Sequence, residues 1–220
     1  MLKHSYDECG RPMDDDFDRP RGFMLVAIGF ELAVGLGALA LGWALGKSPL
    51  EHLHWDWQAA MWGAAAALPP LAALQIGRRL PLAPLQRLFD VSERLVQQMF
   101  AGYGLLSLAL VSAAAGIGEE LLFRGLIQPV IGEEFGTFVG LLAAAVAFGL
   151  AHPITKTYAL VAAGIGLYLG LLMVRLENNL LAPIVTHAVY DFVALVWLLR
   201  GAGGEGRGTR IEDRGARIED

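Results

Sequence analysis

Glu119, Glu120 and Arg124 stand in "GIGEELLFRG", residues 116–125, directly after fourteen residues without charge, Gly102 to Ala115. His152 closes "FGLAH" at 148–152, and His187 and Asp191 bracket "HAVYD" at 187–191. On helices, spacing makes each group a face. Glu120 and Arg124 are one turn apart and can pair, while Glu119 lies about 100° around and can still point into the same cleft. Three carboxylates and one guanidinium cannot all stay ionised in a dry site, where isolated charges change protonation instead. Arg124 can hold one carboxylate charged, most simply Glu120. A carboxylate such as Glu119, beside a neutral imidazole, suits a general base for water. A protonated Asp191 or a histidine N–H suits a donor to a developing oxyanion.

The segments that carry these groups are made for lipid. Of 220 residues, 55% are hydrophobic and only 18% charged, with a mean hydropathy of +0.48. A soluble domain carries about a quarter charged residues. The charges cluster in residues 1–22, 78–94 and 200–220. Between them the sequence predicts six apolar spans: Phe23–Leu45, Trp57–Gly77, Leu105–Gln128, Thr137–His152, Tyr158–Val174 and Leu180–Leu199. Each approaches the roughly 20 residues that cross a bilayer. The expected fold class is all-α, a polytopic membrane helical bundle with a mid-membrane polar site. Residues 80–100 leave room for an interfacial helix or a further span. With the third helix ending at Gln128, Glu119 would lie roughly 14 Å and His187 about 11 Å from the outer edge, but His152 about 23 Å. Helix tilt could close part of that gap.

Lysine and arginine set the orientation. The leader, residues 78–94 and the C-terminal tail hold most of them, whereas the opposite loops offer only Lys47 and Arg175. Both termini of a multi-pass protein are therefore expected in the cytoplasm, and the expected setting is a prokaryotic cell membrane. The leader carries "DDDFD" and no small-residue cleavage site follows the first span, so that span does not read as a signal peptide. The single cysteine, Cys9, allows no intramolecular disulfide. A net charge of −5 without a basic, aromatic-laced patch gives no sign of nucleic acid. Glu31, alone in the first span, reads as a structural or cavity-facing acid outside the site. The tail, with "RIED" at 210–213 and 217–220 after a glycine-rich run, reads as disordered.

Taken singly, each polar group also fits a plain structural role. Glu119, Glu120 and Arg124 could form an interhelical clamp, His152 before Pro153 a helix end, and His187 with Asp191 a hydrogen-bonded pair. Their convergence, in a chain that otherwise keeps charge out of its spans, favours function.

Three motifs together resemble the CPBP family, the CAAX-protease and bacteriocin-processing group of intramembrane glutamic peptidases, also called Abi proteins. "EELLFR" at 119–124 is similar to its EExxxR, "FGLAH" at 148–152 to its FxxxH, and "HAVYD" at 187–191 to its HxxxN/D. The similarity spans about residues 95–199. It implies a catalytic core over 95–199; the rest of the chain, outside the resemblance, reads as a leader (1–22), two N-terminal transmembrane helices with a basic loop (23–94) and the tail (200–220). It further implies that Glu119 is the general base and that His152 helps hold and polarise the attacking water. Glu120 and Arg124 would support them, and His187 and Asp191 would stabilise the oxyanion. One departure is Asp191, where the family often has Asn, because a carboxyl donates only when protonated. The implied partners are the lipid bilayer and a membrane-associated or lipidated protein or peptide, with no cofactor and no metal. A binding or bacteriocin-immunity protein using the same cleft is the rival reading. A zinc site, without any HExxH, and an ion translocator, without an inverted repeat, rank lower.

Overall fold

The computed structural model describes residues 22–212, and the leader up to residue 21 and residues 213–220 lie outside them. The described chain is helical, with no strand among the described residues. Its helices are α1 (Phe23–Leu45), α2 (Trp57–Ala66), α3 (Leu68–Arg79), α4 (Ala83–Phe100), α5 (Leu105–Leu122), α6 (Gln128–Phe135), α7 (Thr137–Leu150), α8 (Lys156–Arg175) and α9 (Leu181–Glu212). A π-helical turn, Phe123–Ile127, joins α5 to α6. Five continuous apolar stretches are long enough to cross a membrane: α1, α2 with α3, α5 through α6, α8, and α9 as far as Arg200. The fourth expected span is the shorter apolar helix α7, of 14 residues. This is an all-α, multi-pass membrane bundle. The tail expected from residue 200 falls partly on the end of α9, which runs to Glu212, and partly outside the described residues.

Local chemistry explains the breaks. The second span divides at Ala67 because Pro69 and Pro70 have no N–H for the ladder. The carbonyl of Ala66, which Pro70 leaves without its helical donor, accepts from the Tyr168 hydroxyl at 2.8 Å. Asp56 caps α2 through Gln58 and Ala59, and Thr155 caps α8 through Tyr158. Residues 83–100 form an amphipathic helix and not a further span: Leu88, Phe89 and Phe100 are buried, while Arg87, Asp90 and Arg94 face outward. An Arg78–Glu93 ion pair of 2.6 Å fastens it to α3.

The core that positions the site is α5, packed on α1 and α9. Small residues make this possible. A Cβ on Gly118 would come within 2.1 Å of the Glu31 carbonyl oxygen, and one on Gly116 within 2.9 Å of the Ile184 carbonyl oxygen. Met24 packs with Leu108 and Val111, and Ala38 packs with Leu121, so α1 and α5 run parallel. Apolar residues such as Leu25, Phe30, Leu36, Leu106 and Leu160 face outward, as lipid requires.

The third helix does not stop at Gln128 as expected but continues through the π-turn and α6 to Phe135. That correction removes the depth mismatch between Glu119 and His152. Glu119 is sixteen residues before Phe135 and His152 fifteen after Thr137, so both lie about 22–24 Å from the same turn. No tilt is needed to bring them level.

Candidate active site

Glu120 and Arg124 lie at the centre of the site, and both are entirely buried. Arg124 Nη1 donates to Glu120 Oε1 at 2.7 Å, and Nη2 donates to the Gly166 carbonyl on α8 at 2.8 Å. The π-turn carries Arg124, and it ends just before Pro129, which cannot supply an N–H to the regular ladder. One turn on, Gln128 Nε2 donates to the Gly170 carbonyl at 3.3 Å. These two bonds, four residues apart on each helix, rivet the third helix to α8.

Glu120 Oε1 also accepts from His187 Nδ1, at 2.8 Å. Because that carboxylate oxygen already faces a guanidinium, the proton of the contact belongs to the imidazole. His187 Nε2 then points the other way and lies 3.4 Å from Asp191 Oδ2, one turn along α9. Arg124, Glu120, His187 and Asp191 thus form one continuous polar chain from α8's backbone to the cavity.

The second pair is Glu119 with His152. His152 Nδ1 lies 2.8 Å from the Phe148 carbonyl oxygen. A carbonyl only accepts, so Nδ1 carries the proton and a neutral ring presents a bare Nε2. That Nε2 lies 3.8 Å from Glu119 Oε2. With the ring neutral and Glu119 ionised, two acceptors face each other across a gap wider than a direct hydrogen bond.

Phe148 packs against most of these groups. Its ring stacks on His152 with 4.7 Å between centroids, meets His187 edge-on at 5.9 Å and lies under the Arg124 guanidinium at 4.5 Å. Tyr158 flanks the far side of His152. Glu119, His152, His187 and Asp191 line one cavity of about 330 Å³, while Glu120 and Arg124 stand behind its wall. The rest of the lining is mainly apolar. Among the described residues, no three His, Cys, Asp or Glu side chains converge as metal ligands would.

The structure thus brings together all six residues selected from the sequence. It adds Phe148 as the shared packing partner, and Glu31, which lines the same cavity from α1. Both were legible in part, Phe148 as the first residue of its motif and Glu31 as a costly acid in an apolar span.

A family model described as Rce1-like, type II CAAX prenyl endopeptidase, matches residues 101–193. The matched stretch holds all three motifs, in agreement with the resemblance drawn from them. No curated protein and no solved structure matches the chain.

Proposed function

We propose, from the premise that residues 101–193 form an Rce1-like domain of the CAAX protease family, that the protein is an intramembrane endopeptidase of the glutamic type. The observation that carries the reading is the pair of opposed acceptors, His152 Nε2 and Glu119 Oε2, 3.8 Å apart on the cavity wall. A water seated there donates one proton to each and turns an oxygen lone pair toward the cavity. A substrate carbonyl presented to that lone pair is attacked as Glu119 takes the proton, which general-base catalysis accelerates by roughly 10²–10⁴. The carbonyl oxygen gains the negative charge. His187 supports it when Nε2 is protonated, with its ring held by Glu120 through Nδ1, and a protonated Asp191 can add a second donor. Collapse breaks the C–N bond, and the proton on Glu119 passes to the leaving amine. Water is thereby split between the two products.

The substrate class that this supports is a membrane-associated protein or peptide, with a lipidated CAAX-type C-terminal segment as one form. The basic residues of 78–94 support a cytoplasmic location for both termini and for the loop after the second span, and the setting proposed is a prokaryotic cell membrane. The parallel course of α1 and α5 is what such a threading requires.

The test is hydrolysis of fluorogenic peptides, prenylated and not, by the purified protein in liposomes. Glu119→Gln and His152→Ala should each abolish turnover, and EDTA should leave it unchanged. Turnover that survives both substitutions would sink this reading, and loss of activity with EDTA would move it to a metal mechanism. A rival role in partner binding or immunity would instead leave function intact in Glu119→Gln.

A further inference from the structure

Two carboxylates of the cavity face an imidazole: Glu119 lies 3.8 Å from His152, beyond direct hydrogen-bond reach, and Asp191 lies 3.4 Å from His187. Glu31, the remaining acid on the wall, has a buried Oε2 with no hydrogen-bond partner among the described residues. Ser112 provides an independent sign. It is 2% exposed, it lines the same cavity, and its Oγ also has no partner among the described residues.

The two are held there by backbone packing. Ser112, Ala115 and Glu119 follow one another at three- and four-residue spacing on the cavity face of α5, so Ser112 lies about 10 Å along the axis from Glu119. The Glu31 carbonyl is seated against Gly118, which sets Glu31 level with the residue preceding Glu119. Beyond them the cavity continues between apolar side chains, among them Leu74, Phe89, Val96 and Leu195, and among the described residues no lysine or arginine lines it. An unpaired carboxylate in such surroundings is costly, and a cation brought to it interacts far more strongly than it would in water.

We propose that Glu31 and Ser112 form a subsite, beside the Glu119–His152 pair, for a basic side chain of the substrate. The apolar walls take the aliphatic stem of a lysine or arginine, Glu31 pairs with its charged head, and Ser112 Oγ, further along the cavity face of α5, accepts another N–H of the ligand. Naming the ligand a substrate rests on the peptidase reading; the cation preference does not.

Binding and cleavage separate the two. An apolar labelled heptapeptide bearing one lysine is compared with its norleucine and glutamate counterparts, with binding measured by fluorescence anisotropy on the purified Glu119→Gln protein. The lysine peptide should bind about tenfold tighter than the norleucine one and the glutamate peptide weakest. Adding Glu31→Gln should erase the difference, and Ser112→Ala should reduce it. Equal binding of the lysine and norleucine peptides, or no binding of either, overturns the subsite without any need for a Glu31 variant. A preference that survives Glu31→Gln overturns it as well. Cleavage of the same peptides by the unsubstituted protein then tests the other reading. Lysine-selective binding without hydrolysis keeps the subsite and counts against the peptidase, whereas hydrolysis without lysine preference does the reverse.

Discussion

Arg124 Nη1 lies 2.7 Å from Glu120 Oε1, with neither side chain exposed. Removing one member of such a pair leaves a buried charge without compensation, at a cost of roughly 3–5 kcal/mol. Arg124→Met should therefore sharply lower the unfolding temperature in detergent. The double variant Glu120→Gln with Arg124→Met should recover much of that loss, because no lone charge is left. A single variant as stable as the parent would show that the pair does not hold the bundle together.

Phe148 touches His152, His187 and Arg124 at once. Replacing it with leucine keeps an apolar side chain of similar bulk, so stability should fall by less than about 1.5 kcal/mol. The two imidazoles lose the face that orients them, and a misplacement of 1 Å can cost about 10²-fold in rate. The expected signature is a kcat reduced at least about tenfold with KM little changed. A variant with full kcat would mean that the hydrogen bonds of the rings alone set their orientation.

Two glycines make a matched pair. A Cβ at Gly118 would meet the backbone oxygen of Glu31 at 2.1 Å, whereas one at Gly164 meets nothing within 4 Å. Gly118→Ala should push α1 away from α5, destabilise the protein by about 1–3 kcal/mol and shift Glu31 from the cavity wall. Gly164→Ala, in the middle of α8, should be neutral or stabilising by about 0.5–1 kcal/mol. Thermal unfolding of the two side by side checks the contrast. Equal effects would mean that the close approach of α1 and α5 yields without cost.

Local spacing explains why so much of the site could be read from the sequence. Glu120 with Arg124 and His187 with Asp191 are pairs within one helix, and a four-residue separation determines such neighbours whatever the bundle does. The helix ends were harder, because apolar composition continues through the π-turn and Pro129 without announcing either. Ending the third helix at Gln128 created a false depth gap between Glu119 and His152. Glu31 is hidden from a sequence reading for a different reason. It has no polar neighbour at helical spacing, and only the packing of Gly118 against α1 carries it to the cavity. Contacts between helices depend on small residues, which leave no periodic signature of their own.

Asp191 is where the chain departs from the more frequent Asn of the third motif, and its geometry makes the departure testable. Its Oδ2 lies 3.4 Å from His187 Nε2, while His187 Nδ1 is committed to Glu120. If position 191 serves as a donor toward the oxyanion or toward Nε2, an amide can do the same work without needing a proton. Asp191→Asn should then keep activity within about tenfold, whereas Asp191→Ala should lose the donor and fall by the roughly 10²–10³ typical of an oxyanion contact. If instead the carboxylate's charge holds His187 protonated, both variants should fail alike. Steady-state kinetics of the three proteins, each first shown to be folded by its unfolding temperature, decide between a donor and a charge at this position.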